Sequence, residues 1–464
     1  MLQDNEKNQE NSAHSLTAHL LLGLALKHRV YIGLTIILVF GAYLRSYHIN
    51  YPSIGYHNMK ENEYLSMALH YLNEGFSLER KVFFYDDKDF NTYAQVPLIS
   101  YTAALVWKII GENVWSVRLQ MILFSLGSIF LAFILTQQLS KDKTLSLLTA
   151  LVMTILPINV FFGRNIQPEA PGLACLLLTF VLFNKWKTSP SWTLSLLTGL
   201  AWTVTGFYKS AFIVPSIAIL AVIPYQELLR AISSSNRIRE LMPWSGFLTV
   251  LIFPIYLVSN LLHNPGHSDY ASGRIKPLQS FDIAYWKAID SIGYFLDNYT
   301  YLLSYIFLVG VLFILLVKST FRIFMMLNLF SMIPFMVVFS DHVNQHSYYQ
   351  MPYVYFFSFG VAYCMQVAFS KVSSLLKLPY LSIIGPVIVM VYAYGDLKAS
   401  IDRQYDVQFL GLDVAGEYVK SRTEPSDKLF ALGSAQNVAV CYFAQRYCSN
   451  LSGSTEVIRN YEDE

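Results

Sequence analysis

Charge is what this 464-residue chain has least of. Asp, Glu, Lys and Arg together make up 14% of it, against about 25% in a soluble domain, so it cannot clothe itself in an ordinary wet surface. The charges nearly cancel, at +2, and no basic block forms a nucleic-acid footprint. Cysteine is scarce as well. Four residues are too few for a disulfide-built scaffold. Cys175 and Cys364 sit in apolar runs as small core residues. Cys441 and Cys448 lie in a polar tail, where they can pair if the tail is outside the cytoplasm. The polar N-terminal stretch lacks the charged start and small-residue cleavage site of a signal peptide, so the first apolar run is expected to be a retained anchor. No fixed-period repeat is apparent either, so neither a solenoid nor an evidently repeat-built transporter is supported.

What fills the chain instead is apolar. Hydrophobic residues reach 54% and aromatics 15%, and Trp and Tyr favour membrane interfaces because each ring has an apolar body and a polar edge. A bilayer core takes about 20 apolar residues per helix. Eleven runs approach that length: 30–47, 117–139, 145–162, 171–183, 192–206, 211–225, 246–262, 301–317, 323–339, 353–369 and 378–394. A further stretch, 103–110, has the character of an interfacial or re-entrant helix. Basic residues occupy every second loop: Lys27 and Arg29, Lys141 and Lys143, Lys185 and Lys187, Arg230 with Arg237 and Arg239, Lys318 and Arg322, and Lys371 with Lys377. Lys and Arg are retained on the cytoplasmic side, so the alternation puts the N-terminus inside and the C-terminal segment outside. The expected architecture is an all-α, multi-pass protein of the plasma (inner) membrane with about 11 transmembrane helices. Its parts would be a disordered cytoplasmic segment (1–28), a membrane domain (29–396) whose long first outer loop (49–116) carries interfacial helices, and a small extracytoplasmic α/β appendage (397–464).

That orientation gathers polar residues on one face. In the first outer loop, Met59, Glu63, Met67 and Tyr71 recur at helical spacing, which predicts a short helix on the membrane surface with Glu63 beside its apolar stripe. A carboxylate pressed against such an interface can act as a base, although a plain solvated helix face explains the same pattern. Arg164, Asn165, Gln167 and Glu169 form a tight turn after the third run, with Pro168 and Pro171 interrupting the helix. Lys209 follows the fifth run, and Asn344, Gln345, His346, Tyr348 and Tyr349 follow the ninth. Taken singly, Lys209 can be a snorkelling lysine and Arg164 an interface anchor. Together, carboxylates, cations and a histidine can bind an anionic head group and activate a nucleophile. Two outward sequons begin at Asn298 and Asn450.

These residues also carry a family likeness. His57, Lys60, Glu61, Glu63, Ala68 and Gly75 fall on a first-loop H-x-x-R-Q-x-D pattern that leads into a short helix and a glycine. Gln95 to Leu98 fall on an E-F-P-L stretch with Gln95 in place of the acid, and Gly111 and Arg118 on a G…R segment. Gly163, Arg164, Pro168 and Glu169 match G-R-x-x-x-P-[DE], Lys209 the lysine of L-x-K, and His346, Tyr348 and Tyr349 an H-D-Y-Y pattern with Ser347 for its Asp. From about residue 30 to 394 the chain resembles the polyprenyl-phosphate-sugar-dependent glycosyltransferases of the C-type membrane superfamily, in the branch of the protein O-mannosyltransferases and the aminoarabinose transferase of lipid A.

The resemblance implies an inverting enzyme that moves a sugar from a polyprenyl-phosphate-linked donor to a glycan, lipid or protein acceptor. By that likeness Glu63 is the general base, and Lys209, Arg164 and His346 bind the donor phosphate. His57, Lys60, Glu61, Glu169, Tyr348 and Tyr349 orient the substrate or a metal ion. Metal use is left open between no cofactor and a divalent ion. The main rival is a lipid-linked sugar transporter, disfavoured because the runs carry little charge. Glu63, Gln95 and Ser347 depart from the pattern, and these departures suit a second rival, a non-catalytic homologue or assembly partner in envelope glycan synthesis.

Overall fold

The computed structural model describes residues 28–77, 81–83, 96–220, 222–263, 292–316, 320–338, 340–431 and 436–450. Gln95, the N-terminal segment and most of the connection between the seventh and eighth runs lie outside them. The chain is a polytopic, predominantly helical membrane protein. Among the described residues five helices are long and apolar enough to cross a membrane: His28–Arg45 (α1), Val114–Ser140, Arg237–Asn260, Ser347–Leu376 and Leu381–Asp406. Most of the remaining runs fall on shorter helices, of which Lys143–Ile155 and Tyr301–Leu316 are two.

Two runs are not straight spans, and proline is the reason in both. The run 145–162 breaks at Leu156, because Pro157 has no N–H to donate and disfavours a helical residue before it. The helix Lys143–Ile155 ends there and a short turn, Pro157–Phe161, follows. The run 211–225 contains Pro215 inside a 3-10 helix, Ser210–Ser216, and Pro224 caps the next helix, Tyr225–Ser233. The two halves meet at 76°.

The first loop holds α2 (Asn58–Glu74) and α3 (Leu98–Ile110), and α4 (Val114–Ser140) follows. Residues 61–71 of α2 are all buried, which excludes the plain solvated face. Protein packs around most of these turns, leaving part of the Glu63 side chain exposed. Ser100 Oγ of α3 donates to Tyr64 O at 2.7 Å. Tyr64, Leu65, Met67 and Tyr71 share one core with Trp107, Val117, Tyr208 and, from the C-terminal segment, Val438, Cys441 and Tyr442. A larger core joins α4 to Leu173, Leu176 and Phe180 and to 353–365.

The C-terminal segment forms a small α/β unit. Helices Leu412–Arg422 and Asn437–Ala444 alternate with two parallel strands, β1 (Leu429–Ala431) and β2 (Cys448–Asn450). Cys441 and Cys448 are joined by a disulfide. The unit is sewn to the first loop by Cys448 N, which donates to Phe83 O at 2.6 Å, and by Phe409 N, which donates to Ile54 O at 2.8 Å.

Candidate active site

The helix Glu169–Thr188, here α5, opens on a carboxylate. A helix N-terminus favours negative charge because its first N–H groups are unpaired and its dipole is positive there. Lys209 caps the other side of the turn, after the helix Trp192–Tyr208, in extended geometry. These two residues, 40 apart in sequence, meet: Lys209 Nζ donates to Glu169 Oε1 at 2.5 Å. What lets them meet is three residues further along each strand of the turn. A Cβ on Gly172 would lie 3.0 Å from the Phe212 ring, so the absence of a side chain there sets how closely α5 and the 3-10 helix approach. Glu169 is wholly buried and Lys209 nearly so.

Aromatic rings close over the lysine. Its ammonium is 3.9 Å from the Tyr348 ring centroid and 4.4 Å from that of Tyr349, within cation–π range. His346 stacks on Tyr348 at 5.1 Å, and His57 meets Tyr348 edge-on at 5.0 Å and His346 at 5.8 Å. Asn298 fixes this segment. It is 0% exposed, and its Nδ2 donates to Ser347 O and Gln350 Oε1, both at 3.0 Å. The first outward sequon is therefore a strut whose amide is already used.

His57 reaches the cluster because it precedes α2 in a left-handed conformation, φ 62° and ψ 25°, which side-chain-bearing residues seldom adopt. Burial, and then the positive neighbours His346, Lys209 and Lys60, hold its imidazole down at about 3, so it is neutral at ordinary pH. One turn into α2, Lys60 Nζ pairs with Glu63 Oε2 at 2.7 Å. The Lys60 side chain is 36% exposed and that of Glu63 12%, compared with 3% and 4% for Arg118 and Glu61. Of the carboxylates in this region, Glu63 is the one an incoming molecule can reach.

Glu61 and Arg164 belong to a second, deeper network. Glu61 Oε2 accepts from Arg118 Nη2 at 2.9 Å and its Oε1 from Ile166 N at 3.1 Å. Arg164 binds Tyr47 O and lies over the Tyr405 ring at 4.9 Å. Arg118 also holds Ile49 O at 3.2 Å. Arg45 Nε donates to Ser125 Oγ at 2.8 Å. The structure thus groups His57, Glu169, Lys209, His346, Tyr348 and Tyr349, with Lys60 and Glu63 beside them. It sets Glu61 and Arg164 in a scaffold that ties the end of α1 to α2. Sequence inspection passed over Arg45 and Tyr405. The signal for Arg45 was a lone cation near the outer end of an apolar run, on the side where the charge alternation expects none.

A divalent ion needs several hard oxygen or imidazole ligands turned to one point. Among the described residues no three His, Cys, Asp or Glu side chains converge so. Glu61, Glu63 and Glu169 each accept from a cation instead. The described donor set does not by itself fit a divalent ion.

Comparison with known proteins adds three likenesses. Residues 94–258, just over a third of the chain, match the family of dolichyl-phosphate-mannose-protein mannosyltransferases. The oligosaccharyltransferase of Archaeoglobus fulgidus, solved with zinc and sulfate, superposes with a TM-score of 0.59 at 12% identity, over 90% of this chain and 62% of that one. The same enzyme, AglB, with an inhibitory peptide and a dolichol-phosphate gives 0.61 at 11%, over 92% and 65%. ArnT from Cupriavidus metallidurans, bound to undecaprenyl phosphate, gives 0.59 at 11%, over 94% and 88%. The chain has the C-type membrane glycosyltransferase fold. It spans about 62–65% of the length of the archaeal oligosaccharyltransferase, and no curated protein matches it in sequence.

Proposed function

We propose that this chain moves a sugar from a polyprenyl-phosphate-linked donor to a glycan, lipid or protein acceptor on the outer face of the plasma membrane, with inversion at the anomeric carbon. The observation that carries the proposal is Lys209. Burying an ammonium costs several kcal/mol unless it is paired, and here one carboxylate and two tyrosine faces hold it where His57 and His346 converge. Such a cation suits a phosphate that gains charge as it leaves. AglB has been seen with a dolichol-phosphate and ArnT with undecaprenyl phosphate, which supports a lipid phosphate as the ligand. A disulfide between Cys441 and Cys448 is favoured in an oxidising compartment, in keeping with an outward C-terminal unit.

The acceptor oxygen forms a bond to the anomeric carbon as the bond from that carbon to the phosphate oxygen breaks. The acceptor proton passes to Glu63, directly or through one water. The electron pair stays on the polyprenyl phosphate, stabilised by Lys209 and by the N–H edges of the His346 and His57 rings. Arg164 acts on this site at one remove, through the deeper network, and Glu61 orients α2. Lys60 steadies Glu63.

The pairing of Glu61, Glu63 and Glu169 with cations favours one rival, a homologue that binds the lipid-linked sugar as part of an assembly and does not transfer it. Radiolabelled sugar on a polyprenyl phosphate, offered to membranes containing the full chain, separates the two. Transfer by the wild type that is lost in Glu63→Gln supports the enzyme. Donor binding without transfer establishes the rival.

A further inference from the structure

At the end of the membrane domain away from Lys209 the chain carries a basic, apolar layer that the reaction does not use. Helix α5 has Glu169 in its first turn and Lys185 and Lys187 in its last. Its 20 residues span about 30 Å, the thickness of a bilayer core. Trp186, between the two lysines, is buried. Its Nε1 donates to Pro243 O at 2.9 Å and its ring meets that of Trp244 at 4.5 Å. This contact brings the start of the spanning helix Arg237–Asn260 to the same level, with Arg237 and Arg239 in its first turn.

The segment before that helix comes down from Lys209. After the half-span Ser210–Leu220 the chain bends by 76° into Tyr225–Ser233, so this helix runs along the membrane face instead of through it. Its residues are sorted around its axis. Ala231 is buried and Leu228 half-buried, while Tyr225, Leu229 and Ile232, at i, i+4 and i+7, are 50%, 63% and 47% exposed. Gln226, Glu227 and Arg230 take the opposite side. Beyond the turn, Ile238 and Met242 are exposed as well.

Charge is equally uneven. Lys185, Lys187, Arg230, Arg237 and Arg239 are all exposed. Five cations stand against two carboxylates, Glu227 and Glu240, and Glu240 Oε1 already accepts from Ser234 Oγ at 2.6 Å. The ion pairs among the described residues lie elsewhere. The positive excess is therefore open to a partner from outside the chain.

We infer that Tyr225–Ser233 and the first turn of Arg237–Asn260 dock on anionic phospholipid head groups. Tyr225, Leu229 and Ile232 enter the boundary between head groups and acyl chains, and Arg230, Arg237 and Arg239 bind the phosphates. A helix with one apolar face and a basic polar face lies in the plane of such an interface. Guanidinium groups match phosphate oxygens in pairs, and their long stems let them reach the head groups from the helix flank. Tethering selects lipid over a protein partner. A half-span precedes the helix and a span follows it within a few residues, so the exposed apolar face is held against the bilayer. With the site on the outer face, as proposed, this layer meets the cytoplasmic leaflet, which carries the negative surface potential. Only that choice of leaflet rests on the proposed function.

The test uses the full chain in nanodiscs of phosphatidylcholine, with or without phosphatidylglycerol. Leu229→Cys and Glu227→Cys are each labelled with a fluorophore, the free cysteines Cys175 and Cys364 having been changed to alanine. Quenching of the Leu229 label by lipids spin-labelled near the head group, and of the Glu227 label by aqueous iodide, is expected. The second reading is the preference for phosphatidylglycerol over phosphatidylcholine in lipid retained by the purified protein. The triple variant Arg230→Gln, Arg237→Gln, Arg239→Gln should lose about 100-fold of it, about 5-fold per arginine, while melting with the wild type in pure phosphatidylcholine. Iodide quenching of the Leu229 label without lipid quenching would place the apolar face in water, free for a protein partner, and overturn the inference. A folded triple variant that keeps the wild-type preference would overturn it too. Sugar transfer enters neither reading, so the function proposed above stands or falls separately.

Discussion

Lys209 Nζ stands 2.5 Å from Glu169 Oε1 and 3.9 Å from the centre of the Tyr348 ring, and its side chain is 9% exposed and that of Glu169 1%. A charge so deeply placed is stable only as a pair. Removing one partner is far more costly than removing both, because the survivor is left buried and uncompensated.

That asymmetry makes the first prediction. Lys209→Met is expected to destabilise the protein by about 3–5 kcal/mol, read as a fall in thermal midpoint in detergent. Lys209→Met with Glu169→Leu should recover most of the loss, since two apolar side chains of similar volume then fill the site. Neither should transfer sugar. A single variant that melts with the wild type would show that Glu169 is solvated rather than paired.

Glu63 predicts the opposite pattern. Its pair with Lys60 is the more exposed one, and such pairs contribute about 0–1 kcal/mol. Glu63→Gln should therefore melt within about 1 kcal/mol of the wild type while losing about 100- to 10,000-fold in transfer rate, the usual worth of a positioned base. Lys60→Ala should lose less. Stable protein with full transfer activity would remove Glu63 from the base role.

The helices were legible in the sequence because apolar runs of membrane length have few other uses, but hydropathy reads the runs 145–162 and 211–225 straight through Pro157, Pro215 and Pro224, where the chain bends. The gathering of His57, Glu169, Lys209 and His346 was legible only as a shared side. The contact between Glu169 and Lys209 depends on Gly172 admitting the Phe212 ring, a relation between two distant turns that no local pattern encodes. The burial of α2 was misleading at the level of composition. Asn58, Glu61, Asn62, Glu63, Ser66 and His70 are the residues of a wet face, yet all are buried. Several of their partners come from elsewhere in the chain: Asn62 takes Ser53, Glu61 takes Arg118 and the backbone of Ile166, and His70 meets Phe83 and Tyr447 besides Glu74 of its own helix.

His57 makes stability depend on pH in a stated direction. In the folded protein its imidazole stays neutral until about 3, while in the unfolded chain it takes a proton near 6.5. Below about pH 6.5 the unfolded state binds the extra proton, so stability is intact above that value and is lost as pH falls towards about 3, by up to about 1.4 kcal/mol per pH unit. Melts at pH 7 and pH 5 should show a larger fall in the wild type than in His57→Phe, with the remaining titrating groups common to both. Equal falls would mean that the imidazole is already accessible to protons.

The disulfide supplies the last prediction. Cys441 lies on the helix Asn437–Ala444, which packs in the same core as Tyr64, Leu65 and Tyr71 of α2, and Cys448 opens β2. Linking residues 7 apart restricts the unfolded segment by about 2–3 kcal/mol in the chain-entropy description. Reduction, or Cys441→Ser with Cys448→Ser, should therefore loosen the C-terminal unit while the apolar helices stay folded. Limited proteolysis would show faster cleavage beyond about residue 407 with the membrane part intact. The second effect is on the site. α2 carries Lys60 and Glu63 and is preceded by His57, so releasing the helix that covers its other face should slow transfer several-fold without changing binding of polyprenyl phosphate at Lys209. Unchanged transfer after reduction, with cleavage accelerated, would separate the C-terminal unit from the positioning of α2 and confine the disulfide to the stability of its own fold.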